Sequence, residues 1–177
     1  MRLIFLHGPP AAGKYTIAKE LERKIGCGVF HNHLTMEIAK QFFEFGTEYF
    51  WKLVKQLRYI STELAAKHSS NTVVYTACYS HPQDLEFFEV LENLVLQSEG
   101  EVIPVYLSCE LEELERRVSN LSRVEMGKIK TIDGLRKNLE RWNCISVPRD
   151  NCLFITTNNK TPSQCCQEII DLLHLSS

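Results

Sequence analysis

Gly8-Pro9-Pro10-Ala11-Ala12-Gly13-Lys14 has the spacing G-x-x-x-x-G-K, and that spacing has a physical meaning. Phosphate oxygens need several backbone N–H groups converging on them, and glycines let a loop wrap closely enough to supply these donors. A helix beginning at the end of the loop adds partial positive charge, and Lys14 adds a full one. The chemistry implied is the holding of nucleotide phosphates. After such a lysine a Ser or Thr hydroxyl commonly binds Mg²⁺; here the residue is Tyr15. A phenol oxygen stands too far from the backbone to take over that geometry. Thr16 has a short hydroxyl, but on a helix it is rotated about 100° from position 15. It is therefore expected to contact phosphate rather than metal.

A second pair with chemical potential is His31 and His33. Read as the end of a strand spanning Cys27 to His33, they lie two apart and face the same side, so both imidazoles could line one pocket. An imidazole titrates near working pH, which suits His33 to orienting or deprotonating a hydroxyl. Zinc binding is disfavoured, because no third ligand has suitable spacing. A histidine that merely bonds a backbone carbonyl is the plainer alternative.

The elements that must position these residues follow from hydrophobic patterning. Arg2 to His7 is an unbroken apolar run and reads as a buried strand. Ile17, Leu21 and Ile25 mark one face of a helix from about Lys14. Phe50, Leu53, Val54, Leu57, Ile60 and Leu64 predict a long amphipathic helix over Thr47 to Lys67. Strands are predicted at Thr72 to Cys78, Val102 to Leu107 and Cys152 to Thr156. Helices are predicted from His81, over Leu111 to Val118, around Ile132 to Trp142, and from Pro162 to about His174. Strands alternating with helices imply right-handed βαβ crossovers and a mostly parallel sheet covered on both faces. The third strand does not end in an aspartate; Asp84 comes later, near the start of the next helix.

Composition narrows the function classes. The chain has 177 residues, 44% of them hydrophobic, with 20 basic and 22 acidic side chains and a net charge of −2. That length favours one ordinary globular domain over residues 1–177. The near-neutral balance argues against a general nucleic-acid binder, which carries a basic excess. Seven cysteines sit at irregular spacing with no C-x-x-C and no zinc pattern. Reduced thiols in a cytoplasmic protein are the expectation. The apolar start is too short for a signal peptide, and no run reaches the length of a membrane helix. No membrane partner is expected, and the oligomeric state is not legible.

With these residues in view, the chain resembles the small-molecule kinases of the P-loop class, and shikimate kinase-like proteins above all. Gluconate and nucleoside monophosphate kinases share that architecture. The resemblance spans nearly the whole chain, though only the phosphate loop is highly specific. It implies an α/β fold of three layers, a five-stranded parallel sheet in the order 2-3-1-4-5, and ATP with Mg²⁺ as cofactor. It also implies a substrate-binding helical segment at about 34–70 and a short lid after strand 4, at about 119–131. By the same match Arg117 lies against the adenine and phosphates, and Arg123 clamps the transferring phosphoryl group. Planar, permanently charged guanidinium groups suit charge spread over phosphoryl oxygens. The run Thr156 to Pro162 resembles the adenine-side loop, which makes Asn159 a nucleotide contact.

On the acceptor side the resemblance weakens. Shikimate kinases carry an acidic pair where this chain has His31 and His33, and the segment Tyr75 to Ser80 lacks their glycine run. Arg141 falls near a carboxylate-binding arginine, yet Trp142-Asn143-Cys144 does not fit the motif around it. Phe42, Phe43, Phe45, Tyr49, Phe50 and Trp51 are expected to be mostly core, with some flooring a pocket. The reading is an ATP-dependent phosphotransferase acting on the hydroxyl of a small molecule. Lys14, His33 and Arg123 are its catalytic residues, and His31, His33 and Arg141 its acceptor contacts. The alternatives are a nucleotide-binding protein with weak or no turnover, which Tyr15 favours, and a nucleotide hydrolase acting as a switch.

Overall fold

The computed structural model describes residues 1–119 and 129–175. Five parallel strands form one sheet: β1 (Arg2–His7), β2 (Gly28–His31), β3 (Thr72–Ala77), β4 (Glu101–Ser108) and β5 (Leu153–Thr156), in the order β2-β3-β1-β4-β5. β1 is central, with Leu3 aligned to Val73 on one side and to Val102 on the other. The helices are α1 (Lys14–Ile25), α2 (His33–Ala39), α3 (Glu48–His68), α4 (Leu85–Leu96), α5 (Leu111–Val118), α6 (Ile132–Arg141) and α7 (Pro162–Leu172).

Period-two alternation along β1 explains why the sheet is covered on both faces. Ile4 and Leu6 pack into one cluster with Ile17 and Leu21 of α1, Leu135 of α6 and Ile169 of α7. Leu3 and Phe5 turn the other way, into a cluster with Tyr75 and with Phe88, Leu91 and Val95 of α4. A third, small cluster joins Ala39 of α2 to Phe50 and Val54 of α3. It anchors the α2–α3 pair, which occupies the predicted substrate-side segment. Among the described residues no helix is long and apolar enough to cross a membrane.

Three sequence expectations need correction. The second strand ends at His31, not His33; Asn32 turns the corner and His33 opens α2, a short helix that the periodicity did not reveal. Only Thr35 and Ala39 of α2 are buried, four residues apart, too little to register as an amphipathic face. The helix expected from His81 begins at Leu85, because the Asp84 carboxylate accepts the Ser80 N–H at 2.9 Å and holds the preceding residues in turns. The aromatic run of 42–51 is not mostly core: Phe50 is buried, whereas Phe42 is 71% exposed, Tyr49 62% and Phe45 59%. Most of the predicted lid, with Arg123 in it, lies outside the described residues.

Candidate functional site

The loop between β1 and α1 has the backbone its glycines anticipate. Gly8 sits at φ 139° and Gly13 at φ 94°. A Cβ on Gly8 would lie 2.5 Å from the Leu107 carbonyl oxygen of β4, so only glycine lets the loop pass this close to the sheet. Gly13 caps α1 without any side-chain acceptor, which leaves first-turn N–H groups of a twelve-residue helix for an anion. The Lys14 ammonium folds back across the loop and donates to the Gly8 and Pro9 carbonyls at 2.8 and 2.7 Å. Pro10, Ala11 and Ala12 complete the turn, with the Ala12 N–H bonded to the Pro9 carbonyl at 3.3 Å. Thr16 lies exposed in the first helical turn.

Beneath the loop, His7 is fully buried. Its Nδ1 donates to the Phe5 carbonyl at 3.1 Å, and its Nε2 accepts the Val147 N–H at 3.1 Å. Both nitrogens thus serve a neutral ring. Burial pulls the pKa down to about 4, against the pull of the Phe5 hydrogen bond, and the charge of Lys14 depresses it further. The ring pins β1 to the segment before β5 and so holds the loop's upstream end.

A second wall is built around Arg117 on α5. Its Nε donates to Glu113 at 2.5 Å, and its two terminal nitrogens reach the Thr157 hydroxyl at 3.1 Å and the Thr157 carbonyl at 2.7 Å. The same loop is held from Asn158, whose Oδ1 accepts the Glu110 N–H at 2.9 Å. Thr161 closes it as the cap of α7 in a capping box with Gln164. Asn159 occupies the turn between them at φ 52°. Hydrogen bonding from Arg116, with help from Arg117, holds the Glu113 carboxyl down at about 2. The helix arginine and the adenine-side loop predicted from sequence are therefore parts of one connected unit.

On the other side of the phosphate loop, the strand-to-helix corner at Asn32 still brings His31 and His33 together, with ring centroids 6.3 Å apart. Tyr15 packs edge-on against His31, with ring centroids 5.0 Å apart. Arg141 is exposed, with its guanidinium 4.9 Å from the Trp142 ring centroid.

A cavity of about 430 Å³ opens next to this corner, within the size range of small-molecule sites. Its walls include Phe5 of β1, Asn32 and Met36, Trp51, Lys55 and Arg58 of α3, Asp84, and Trp142 and Cys144 beyond α6. His33 lies between the wall residues Asn32 and Met36, while His31, His33 and Arg141 are not themselves in the wall. Sequence reasoning missed Trp51, Arg58, Asp84 and Trp142 as a group, because they come from three distant stretches of chain.

Arg58 is half-buried, donates from Nε to Thr35 Oγ1 at 3.2 Å, and lies 5.5 Å from the Phe87 ring centroid. It makes no ion pair among the described residues, although most other described arginines pair with a glutamate. Burial pushes the Asp84 carboxyl up, while the Ser80 N–H and the charges of Arg58 and Lys55 oppose that rise. Cys144 is pushed to about 11, chiefly by burial; Lys14 and Asp84 both act on it, in opposite senses. Ala77 in the cavity wall is aligned with His7, the residue before Gly8, so the cavity and the loop lie at the same end of the sheet.

These residues fit a nucleotide phosphate but not the usual metal arrangement. The loop supplies amides, a helix terminus and Lys14, whereas position 15 offers a phenol engaged with His31. Among the described residues no three His, Cys, Asp or Glu side chains gather as a metal-binding group.

No family model and no curated protein matches the sequence. Solved structures do match it. A protein of Chloroflexus aurantiacus provisionally assigned as a kinase aligns with a TM-score of 0.71 at 16% identity, over 99% of this chain and 97% of that one. The adenosine 5′-phosphosulfate (APS) kinase CysC of Mycobacterium tuberculosis, solved with AMPPNP and APS, aligns at 0.65 and 18% identity, covering 98% and 97%. Shikimate kinase of Acinetobacter baumannii, solved with shikimate, aligns at 0.58 and 18% identity, covering 97% and 92%. The chain has the fold of the P-loop small-molecule kinases, along its full length.

Proposed function

We propose that this protein is an ATP-dependent phosphotransferase that moves the γ-phosphoryl group to a hydroxyl of a small molecule. The observation that carries the reading is a glycine-bounded loop and a cavity of about 430 Å³ set at the same end of the sheet, on a fold shared with small-molecule kinases. Loop N–H groups from Ala11 to Thr16 and the Lys14 ammonium hold the β- and γ-phosphates, Pro9 and Pro10 having no N–H to give. Nucleotide phosphates would draw Lys14 from the two carbonyls it now bonds. Arg117 and the loop around Asn159 flank the base, and Arg123 closes over the phosphoryl group. His31 and His33 stand at the corner where an acceptor enters, with His33 orienting its hydroxyl and Arg141 at the outer edge. Catalysis comes mainly from positioning and charge stabilisation, as phosphoryl transfer generally requires. ATP supplies the phosphoryl group, and no step here depends on a metal ligand from this chain. Seven free cysteines suit a reducing compartment such as the cytoplasm.

The test is nucleotide binding and Mg²⁺-dependent ATP consumption, measured with a panel of hydroxylated metabolites. Lys14→Ala abolishes nucleotide binding; His33→Ala keeps it and lowers transfer. Tight ATP binding with no acceptor-stimulated turnover sinks the kinase reading. That result would favour a nucleotide-binding protein with weak or no turnover, the second reading, which rests on Tyr15 at the usual metal-ligand position.

A further inference from the structure

The cavity beside the phosphate loop is chemically lopsided. One part is flat and apolar: Phe5, Trp51, Phe87 and Trp142 all line it. The other part carries Asp84, whose Oδ2 is held by the Ser80 N–H at 2.9 Å. Its Oδ1 makes no hydrogen bond among the described residues, which leaves it available to a donor in the cavity. Arg58, fixed by Thr35 and packed against Phe87, supplies charge that opposes the rise burial imposes on this carboxyl. The apolar surface also continues outward from the cavity mouth. Phe45 lies 5.8 Å from the Trp51 ring and is 59% exposed. Exposed apolar surface of this extent marks a binding feature, and its continuity with the cavity points to the ligand of that cavity.

We infer that the acceptor is a hydroxyl-bearing molecule with an aromatic or similarly flat apolar body, and that Asp84 is the catalytic residue that takes its hydroxyl proton. The ring rests against Trp51, Phe87 and Trp142, and the hydroxyl donates to Asp84 Oδ1. In the transfer step the acceptor oxygen forms a bond to the γ-phosphorus. The bond from that phosphorus to the β,γ-bridging oxygen breaks, its electron pair leaving with ADP. The hydroxyl proton passes to Asp84 and then to solvent. Burial makes Asp84 a stronger base than a surface carboxylate, which suits it to this transfer. The inference rests on the phosphotransferase reading and deepens it.

The chain has two tryptophans, and both line the cavity, so intrinsic fluorescence reports its occupancy directly. 4-Hydroxybenzyl alcohol should quench them saturably, and gluconate and glycerol should not. With ATP and Mg²⁺ the aromatic alcohol should stimulate ADP release and acquire labelled phosphate. Asp84→Asn retains an acceptor for the Ser80 N–H; it should keep the quench and bind a fluorescent ATP analogue normally. Stimulated transfer should fall about 100-fold or more. An aromatic probe that leaves the tryptophans unquenched, labelled polyols in place of labelled aromatic, or full transfer by Asp84→Asn each overturn the inference. Failure of the wild-type chain to bind the ATP analogue overturns instead the phosphotransferase reading on which it rests.

Discussion

Lowering the pH from 7 to 5 should cost this protein about 2 kcal/mol of stability through His7 alone. The ring is buried with both nitrogens committed, Nδ1 as donor to Phe5 and Nε2 as acceptor from Val147. Protonating it would turn the Val147 contact into two donors facing each other. Its folded pKa is held at about 4, whereas the unfolded chain titrates near 6.5. Below about 6.5 the unfolded state therefore binds a proton that the folded state refuses. The full stability is present above that pH and is lost progressively until the folded ring itself titrates near 4. Within that window each pH unit is worth about 1.4 kcal/mol, and the gradual onset near 6.5 trims the interval from 7 to 5 to about 2 kcal/mol. Urea titrations at several pH values, on the wild type and His7→Gln, isolate the effect. The glutamine oxygen can still accept the Val147 N–H, and the other five of the six histidines are common to both proteins. Glu113, held at about 2, changes protonation only at lower pH. If wild type and variant lose stability in parallel, His7 is not a buried neutral group and the account of β1 anchoring is wrong.

Three further outcomes follow from the loop after β1 and the wall around Arg117. Gly8→Ala should drive a methyl group into the Leu107 carbonyl, 2.5 Å away, and cost about 2–5 kcal/mol in strain and overpacking. Differential scanning fluorimetry should show a midpoint lower by roughly 5–15 °C, with nucleotide binding lost; an unchanged midpoint contradicts the close approach to β4. Arg117→Ala should release the Thr157 loop and weaken ATP binding about tenfold, the equivalent of one charged hydrogen bond. By carbon-detected NMR, Arg116→Ala should raise the Glu113 pKa from about 2 more than Arg117→Ala does, since the Arg116 bond is the larger cause of its depression.

The sheet was legible because each strand carries a dense apolar run and each long helix a repeated buried face. Leu3 to Leu6 show it on β1, and Ile17 with Leu21 on α1. The phosphate loop was legible for a different reason: its function needs glycine geometry, and glycine is written directly in the chain. The α2 helix was hidden, because a seven-residue helix with two buried residues gives periodicity nothing to register. The aromatic run of 42–51 misled because apolar side chains read as core, whereas here Phe50 is buried, most of the others are exposed and Trp51 lines the cavity. The cavity was the least legible part. Asp84 looked like an acid arriving too late after β3, and Trp142 like a mismatch; only the packing of α3, α4 and α6 shows that they face one space with Arg58. A site assembled across distant elements leaves no local spacing to find.

The position of Lys14 bears on how the proposed phosphate would be taken up. An ammonium held 2.8 and 2.7 Å from two carbonyls of its own loop braces the turn from within. A turn braced in this way would have little chain entropy left to lose on binding the proposed phosphate. Arrival is then an exchange of partners around a standing charge: two neutral acceptors give way to one doubly ionised group. Such an exchange should make affinity depend steeply on phosphate charge, with triphosphates, diphosphates and monophosphates separating widely at low ionic strength and drawing together as salt rises.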